Sequence, residues 1–421
     1  MLGYILFFFY FALLSWLLTK STFIKQSGLK RKVVVLLFFL KISAGVFSGW
    51  MLRNYASADT WGYHRDALVE YHILFTDPST YFTNLFYTGY QHGYDGVLQI
   101  RDSYWNDLKT NLIIKFVSVL HIFSFGNYYV NVVLYNFVVF FGHIALYKFF
   151  KLTFKTNDSL LVFVCFLLPS LLFFSSTIHK EGLIFTAISF IFYCFYTCFN
   201  FTGFVNKKSL VIVLCFLLVF LFRSYIVIIL LPGLFSYYLA LKKKKSEGFI
   251  FSLVFLCSIG MFFLSPYISH SADLPTLVAE KQTDFLGLGK ANTSIPVHQL
   301  KPNLQGFLKN APEALSNTLL RPFITDYSYS RPLLPFIFEL TFYEILFLVF
   351  LIFKNTNVLS NKATICLCLF FSIFMFQVIG YTVPVLWAIV RYRSIYLPFI
   401  LAPIVFNINH QKLKLFFKIK K

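Results

Sequence analysis

Uninterrupted apolar blocks of about 15 to 25 residues divide the chain, each long enough as a helix to cross a hydrocarbon core about 30 Å thick. Lipid is therefore the expected solvent. Helices are the expected spans, because a helix satisfies its own backbone hydrogen bonds where no water can. The blocks run 2 to 19, 33 to 52, 129 to 150, 159 to 175, 182 to 201, 209 to 222, 224 to 241, 248 to 265, 336 to 353, 363 to 381 and 384 to 406. They predict an all-α fold, a polytopic transmembrane helix bundle of about 11 spans. Met1 to Thr19 has no basic region before it and no small-residue cleavage site after it, so it reads as a retained first helix.

A net charge of +20 would suggest nucleic acid in a soluble protein, so the positions of the charges matter more than their sum. If the loop with Lys20, Lys25, Lys30, Arg31 and Lys32 is cytoplasmic, alternation brings several other basic sites inside. These are Lys148, Lys151 and Lys155, Lys207 and Lys208, Lys242 to Lys245, Lys354 and Lys362, and the tail Lys412, Lys414, Lys418, Lys420 and Lys421. Of the 17 acidic residues only Asp158 and Glu247 accompany them, which is the asymmetry the positive-inside rule describes. The expected protein is a multi-pass protein of the plasma (inner) membrane with its amino terminus outside and its carboxyl terminus cytoplasmic. Its basic loops then face anionic lipid rather than nucleic acid.

Two long outer segments, 53–128 and 266–335, carry mixed charge, Trp, Tyr and His, and function is expected there. The division is a membrane region 1–265 containing the first outer segment, a second outer segment 266–335, and membrane helices with a basic tail over 336–421. All seven cysteines lie in apolar blocks, and no His or acidic residue completes a metal set beside Cys194 and Cys198.

The first outer segment opens with Ser57-Ala58-Asp59-Thr60-Trp61-Gly62-Tyr63-His64, directly after the second block and so at headgroup level. A carboxylate there meets a lipid-linked headgroup, or is a hydrated anchor beside Trp and Tyr. Further on, Leu112 to Phe125 is apolar but interrupted by Lys115 and His121, the pattern of a helix lying in the interface. After Pro169 comes Ser175-Ser176-Thr177-Ile178-His179-Lys180-Glu181-Gly182, an outer turn so short that His179, Lys180 and Glu181 are pinned at the bundle mouth. There they act on a substrate, or Lys180 and Glu181 pair and cap two helices. Arg223 interrupts the run 209 to 241 as an outer hairpin, and Arg391 and Arg393 sit inside the last block. Embedded arginines need anions: either Glu339 and Glu344 nearby, or a lipid phosphate held by the planar guanidinium. No phosphate-cradling Gly-rich loop, zinc-protease helix or nucleophilic-serine elbow is present.

Together these features resemble the GT-C class of membrane glycosyltransferases. Asp59 opens the first large outer loop with Tyr63 behind it. Asn111 to Phe116 leads through Phe125-Gly126-Asn127 into a span ending Leu146-Tyr147-Lys148-Phe149-Phe150, and Leu168-Pro169-Ser170 to Ser176 is followed by a charged turn. The resemblance covers roughly residues 50 to 200. It departs from the class in having a helix before the loop-bearing one and in ending in membrane helices without a soluble domain.

The resemblance implies a polyprenyl-phosphate-linked sugar donor, a glycan or lipid acceptor, and membrane lipids as partners. It implies no organic cofactor, and no metal ligands are assigned, so transfer is metal-independent or weakly metal-assisted. Asp59 is the implied base, with Glu181 as the second carboxylate. Tyr63, His64, His179, Lys180, Arg223, Arg391 and Arg393 are implied in substrate binding, with Arg321 and Arg331 as lids from the second outer segment. Basic outer loops with embedded arginines also resemble O-antigen and capsule polymerases. A secondary transporter or flippase would embed similar charges, but the halves show no internal repeat.

Overall fold

A computed structural model of the chain describes residues 1–55, 58–98, 102–154, 157–202, 207–242, 246–268, 273–289, 291–328, 331–354 and 361–418. Ser57, Lys155, Lys243 to Lys245, Lys420 and Lys421, which the sequence reading used, lie outside the described residues.

The first half holds α1 (Leu2–Lys20), α2 (Thr22–Lys25), α3 (Arg31–Leu52), α4 (Asp59–Thr76), α5 (Pro78–Thr83), α6 (Tyr104–Ser124), α7 (Tyr128–Thr153), α8 (Asp158–Val162), α9 (Pro169–Ser176) and α10 (Lys180–Thr197). The second holds α11 (Lys207–Lys242), α12 (Glu247–Ile268), α13 (Leu274–Gly287), α14 (Leu304–Leu319), α15 (Leu334–Phe353), α16 (Lys362–Thr382), α17 (Leu386–Ser394), α18 (Leu397–Phe406) and α19 (His410–Lys418). Among the described residues there is no strand, only two isolated bridges, Ser294 with Val385 and Lys354 with Ile408.

Eight of these helices are long and apolar enough to cross a membrane, or up to 10 if each bent pair counts as one span. The first bend follows from proline chemistry. A residue before proline is driven out of the helical region, and Leu168 before Pro169 is extended, so the helical turns up to Leu167 and α9 meet at 50°. Pro398 stands in the first turn of α18, after a Tyr396 that keeps helical backbone, and α17 and α18 meet at 62°. The two spans expected at 209 to 222 and 224 to 241 fall within α11 as two helical stretches parted by non-helical backbone at Arg223 (φ −154°, ψ 87°). Leu112 to Phe125 belongs mostly to the longer helix α6, closed by Phe125 and Gly126 in left-handed conformation.

The chain forms two compact units, Met1–Phe149 with Leu172–Ser224, and Phe150–Leu171 with Tyr225–Lys421. In the first unit α7 and α10 form the core, with 72% and 78% of their most apolar windows buried. They approach closely at Gly142, where a β-carbon would lie 2.6 Å from the Thr186 backbone. In the second unit α14 is tied to α16: Gln377 Nε2 donates to Ala311 O at 3.1 Å, and the Tyr381 hydroxyl donates to Phe307 O at 2.7 Å. Beneath them Ala279, Leu300, Phe307, Ala314 and Tyr381 form an apolar cluster.

Candidate functional site

The helix break that follows Ser176 creates the site. His179 is the extended N-cap of α10, and its Nδ1 accepts the backbone N–H of Lys180 at 3.0 Å, satisfying one of the helix's unpaired donors. Glu181 falls in the first turn of α10 and Asp59 in the first turn of α4, where the positive end of each helix dipole favours a carboxylate. His179 Nε2 and Asp59 Oδ2 are hydrogen-bonded at 3.0 Å, while Glu181 Oε2 lies against Nδ1 of the same ring. Arg223 Nη2 donates to Glu181 Oε1 at 2.5 Å. The non-helical backbone of Arg223 therefore sits where its side chain is pinned to a buried acid.

This gives a continuous chain, Asp59, His179, Glu181, Arg223, graded in access. Asp59 is 41% exposed and His179 8%, whereas Glu181 is fully buried. Two further groups complete it. Lys180 Nζ donates to Thr110 Oγ1 of α6 at 3.3 Å and lies 5.3 Å from the centre of the Tyr63 ring, which in turn stands edge-on to His179 at 5.6 Å. Gly182 is required behind them, because a β-carbon there would lie 2.8 Å from Ser175 O and strike the Tyr135 hydroxyl, which donates to His179 O.

Of the two readings of this turn, substrate contact or a Lys180–Glu181 cap, the structure gives Lys180 a hydrogen bond to Thr110 and Glu181 one from Arg223. Of the residues at the loop opening, Tyr63 joins the site and His64 does not. His64 packs 5.0 Å from His121 of α6 and 5.4 Å from Tyr128.

The remaining candidates belong to the second unit. Arg393 is 1% exposed and donates through Nη1 to Thr318 O at 2.7 Å and to Arg321 O. It thereby caps the negative end of α14. No hydrogen bond or ion pair joins it to Glu339, whose Oε1 instead accepts from Ser170 N at 3.0 Å, from Ser170 Oγ at 2.9 Å and from the Tyr343 hydroxyl. Glu344 is exposed. Arg391 lies over the Tyr392 ring at 4.8 Å, and Arg321 is 3.9 Å from Asp326. Arg331 opens a short 3₁₀ turn.

Sequence reasoning missed Lys41. It is buried in α3, and its Nζ donates to Ser175 Oγ at 2.8 Å and Ser176 Oγ at 3.1 Å, while Thr177 Oγ1 donates to Ser48 Oγ at 2.7 Å. These bonds hold the end of α9 from which His179 is launched. The available signal was a single charge inside the apolar block 33 to 52.

His64 and His121 explain how α4 and α6 are held. Both are buried, and Asn131 Nδ2 donates to His121 Nδ1 at 2.8 Å, which requires that nitrogen unprotonated. Burial first, then mutual repulsion and Arg65, pushes His64 down to about 4, and burial pushes His121 down to about 4. The unfolded chain takes up these protons near 6.5, so the stabilisation is complete above about pH 6.5 and is lost as the pH falls towards 4. Thermal melts between pH 7.5 and 4.5 are expected to show the parent losing a few kcal/mol more than a His64→Phe variant, at about 1.4 kcal/mol per displaced pKa unit. Equal pH slopes would contradict this role.

No protein-family model, no curated protein and no solved structure matches the chain. Among the described residues no group of three or more His, Cys, Asp or Glu is placed to hold a metal ion.

Proposed function

We propose that the chain is an integral membrane glycosyltransferase that takes a sugar from a polyprenyl-phosphate donor on the outer face of the membrane and serves cell-surface glycan synthesis. The observation that carries this reading is the accessible Asp59 carboxylate braced at 3.0 Å by His179, itself set against the buried Glu181 and Arg223 pair. A general base needs access to the substrate and a fixed orientation, and this chain of contacts supplies both.

In this reading the acceptor hydroxyl gives its proton to Asp59 as its oxygen bonds to the anomeric carbon of the donor sugar. The bond from that carbon to the phosphate oxygen breaks, and the electron pair leaves on the polyprenyl phosphate. His179 acts through Asp59 by holding its carboxylate. Lys180, beside the site on Tyr63 and Thr110, supplies positive charge for the departing phosphate. The N-termini of α4 and α10 add to that field. Arg223 neutralises Glu181. The proposed orientation is amino terminus outside and carboxyl terminus cytoplasmic.

The test supplies purified protein in nanodiscs with a labelled polyprenyl-phosphate sugar and an acceptor extract from the cell envelope. Label is expected to leave the lipid for the acceptor with release of polyprenyl phosphate. A ladder of regularly spaced products would assign the polymerase reading instead, and retention of all label on the lipid would overturn both.

A further inference from the structure

Away from the Asp59 chain, α4 and α6 leave a cleft of about 310 Å³ between them. Its polar lining is Asp66 and Glu70 from α4, Asn84 from the turn after α5, and Asn111 and Lys115 from α6. Val69, Leu85 and Ile114 supply the apolar part. The lining is held in place before any ligand arrives. Lys115 Nζ is 2.5 Å from Glu70 Oε2 and 3.7 Å from the centre of the Tyr81 ring, and Asn84 Nδ2 donates to Glu70 Oε1 at 2.9 Å. Asn84 Oδ1 is buried and accepts no hydrogen bond from the described residues.

The chemistry selects a ligand class. Two carboxylates, two amides and one ammonium offer donors and acceptors in mixture, with the ammonium already matched to Glu70. A phosphate or a nucleotide would face Asp66 and Glu70 unfavourably. An uncharged ligand rich in hydroxyl groups, each both donor and acceptor, fits the mixture, and the apolar residues suit the C–H faces of sugar rings. The position matters as much. Asp59, Tyr63, Asp66 and Glu70 follow one another at i, i+4, i+7 and i+11 on α4 and so share a face. At about 1.5 Å of rise per residue, Asp66 lies roughly 10 Å along the helix from Asp59. On α6, Thr110, which holds Lys180, directly precedes Asn111 of the cleft.

We infer that the cleft between α4 and α6 binds a neutral oligosaccharide, the acceptor glycan, and lays it along the face of α4 that leads to Asp59. Its role as acceptor rests on the proposed transferase reading; its chemistry as a sugar cleft does not. The site makes a glycan, rather than a single small hydroxylated molecule, the acceptor.

The full chain in nanodiscs, without donor, is applied to an array of neutral and acidic oligosaccharides. Asp66→Ala and Asn111→Ala are the variants of choice, because neither side chain hydrogen-bonds another described residue and folding is not at stake. The parent is expected to bind neutral oligosaccharides in preference to acidic ones, and each variant to bind about five- to tenfold more weakly, the worth of one hydrogen bond. Absence of binding by the parent, preference for acidic glycans, or equal binding by parent and variants overturns the cleft. Cleft-dependent binding by a protein that transfers no sugar would leave the cleft standing and remove the transferase. Transfer with an acceptor KM unchanged in both variants would do the reverse.

Discussion

Replacing Asp59 by Asn is expected to lower glycosyl transfer by about 10² to 10⁴ fold while leaving insertion, folding and donor binding intact. The expectation follows from the local geometry. Asn keeps the shape and the hydrogen-bonding capacity that faces His179 across 3.0 Å, but it cannot take the acceptor's proton. Asp59 is 41% exposed at the start of α4, so the change leaves no buried charge behind. Loss should fall on kcat rather than on the donor's KM, because the proton moves only as the reaction proceeds. A near-parental rate would transfer the role of base to another carboxylate, with Glu181 next. Separating these outcomes requires the melting temperature of the variant to match the parent's.

The second large effect is on stability. Glu181 has no exposed side-chain surface and Arg223 only 12%, with 2.5 Å between them, so removing one partner strands the other's charge in the protein interior. Glu181→Ala is expected to cost about 3 to 5 kcal/mol, visible as a fall in melting temperature followed by tryptophan fluorescence. Trp61, stacked 4.0 Å from Tyr128, provides a reporter inside the same unit. Removing both charges in Glu181→Gln with Arg223→Gln should restore most of that stability, since no stranded ion remains. Transfer should nevertheless stay low in the double variant, because the charged pair against which the His179 ring is set is gone. Single variants that cost less than about 0.5 kcal/mol and add independently would show that the pair is not a structural unit.

The bundle was legible because lipid imposes a simple length rule, and the blocks at 2 to 19, 33 to 52 and 129 to 150 reappear as α1, α3 and α7 within a few residues. The rule says less where the chain breaks inside a block. The apolar pattern alone does not give the backbone angles at Arg223, where the helix is interrupted. The same holds for the site. Asp59, His179, Lys180, Glu181 and Arg223 stood out because each is an ionisable group beside or within apolar sequence, a costly placement. Their pairing did not stand out, because Glu181 meets a partner 42 positions away rather than its neighbour Lys180.

Tyr63 and His64 illustrate a distinction that helical geometry makes readable. At about 100° per residue, position i+4 from Asp59 returns to its face and position i+5 turns well away from it. His64 accordingly meets His121 instead of the face that carries Asp59. Lys41 escaped notice because a lone lysine in an apolar block gives no hint of its partners. Only the folded chain brings Ser175 and Ser176 within 2.8 and 3.1 Å of it.

The central claim is that Asp59 works on a lipid-linked sugar presented at the outer face. Its most direct test is transfer in sealed proteoliposomes of known orientation, with the labelled polyprenyl-phosphate sugar confined to one leaflet. The account predicts transfer when the donor occupies the leaflet on the side of Asp59, abolished by Asp59→Asn. Transfer that requires the donor in the opposite leaflet, or that persists unchanged in the Asp59→Asn protein, would contradict it.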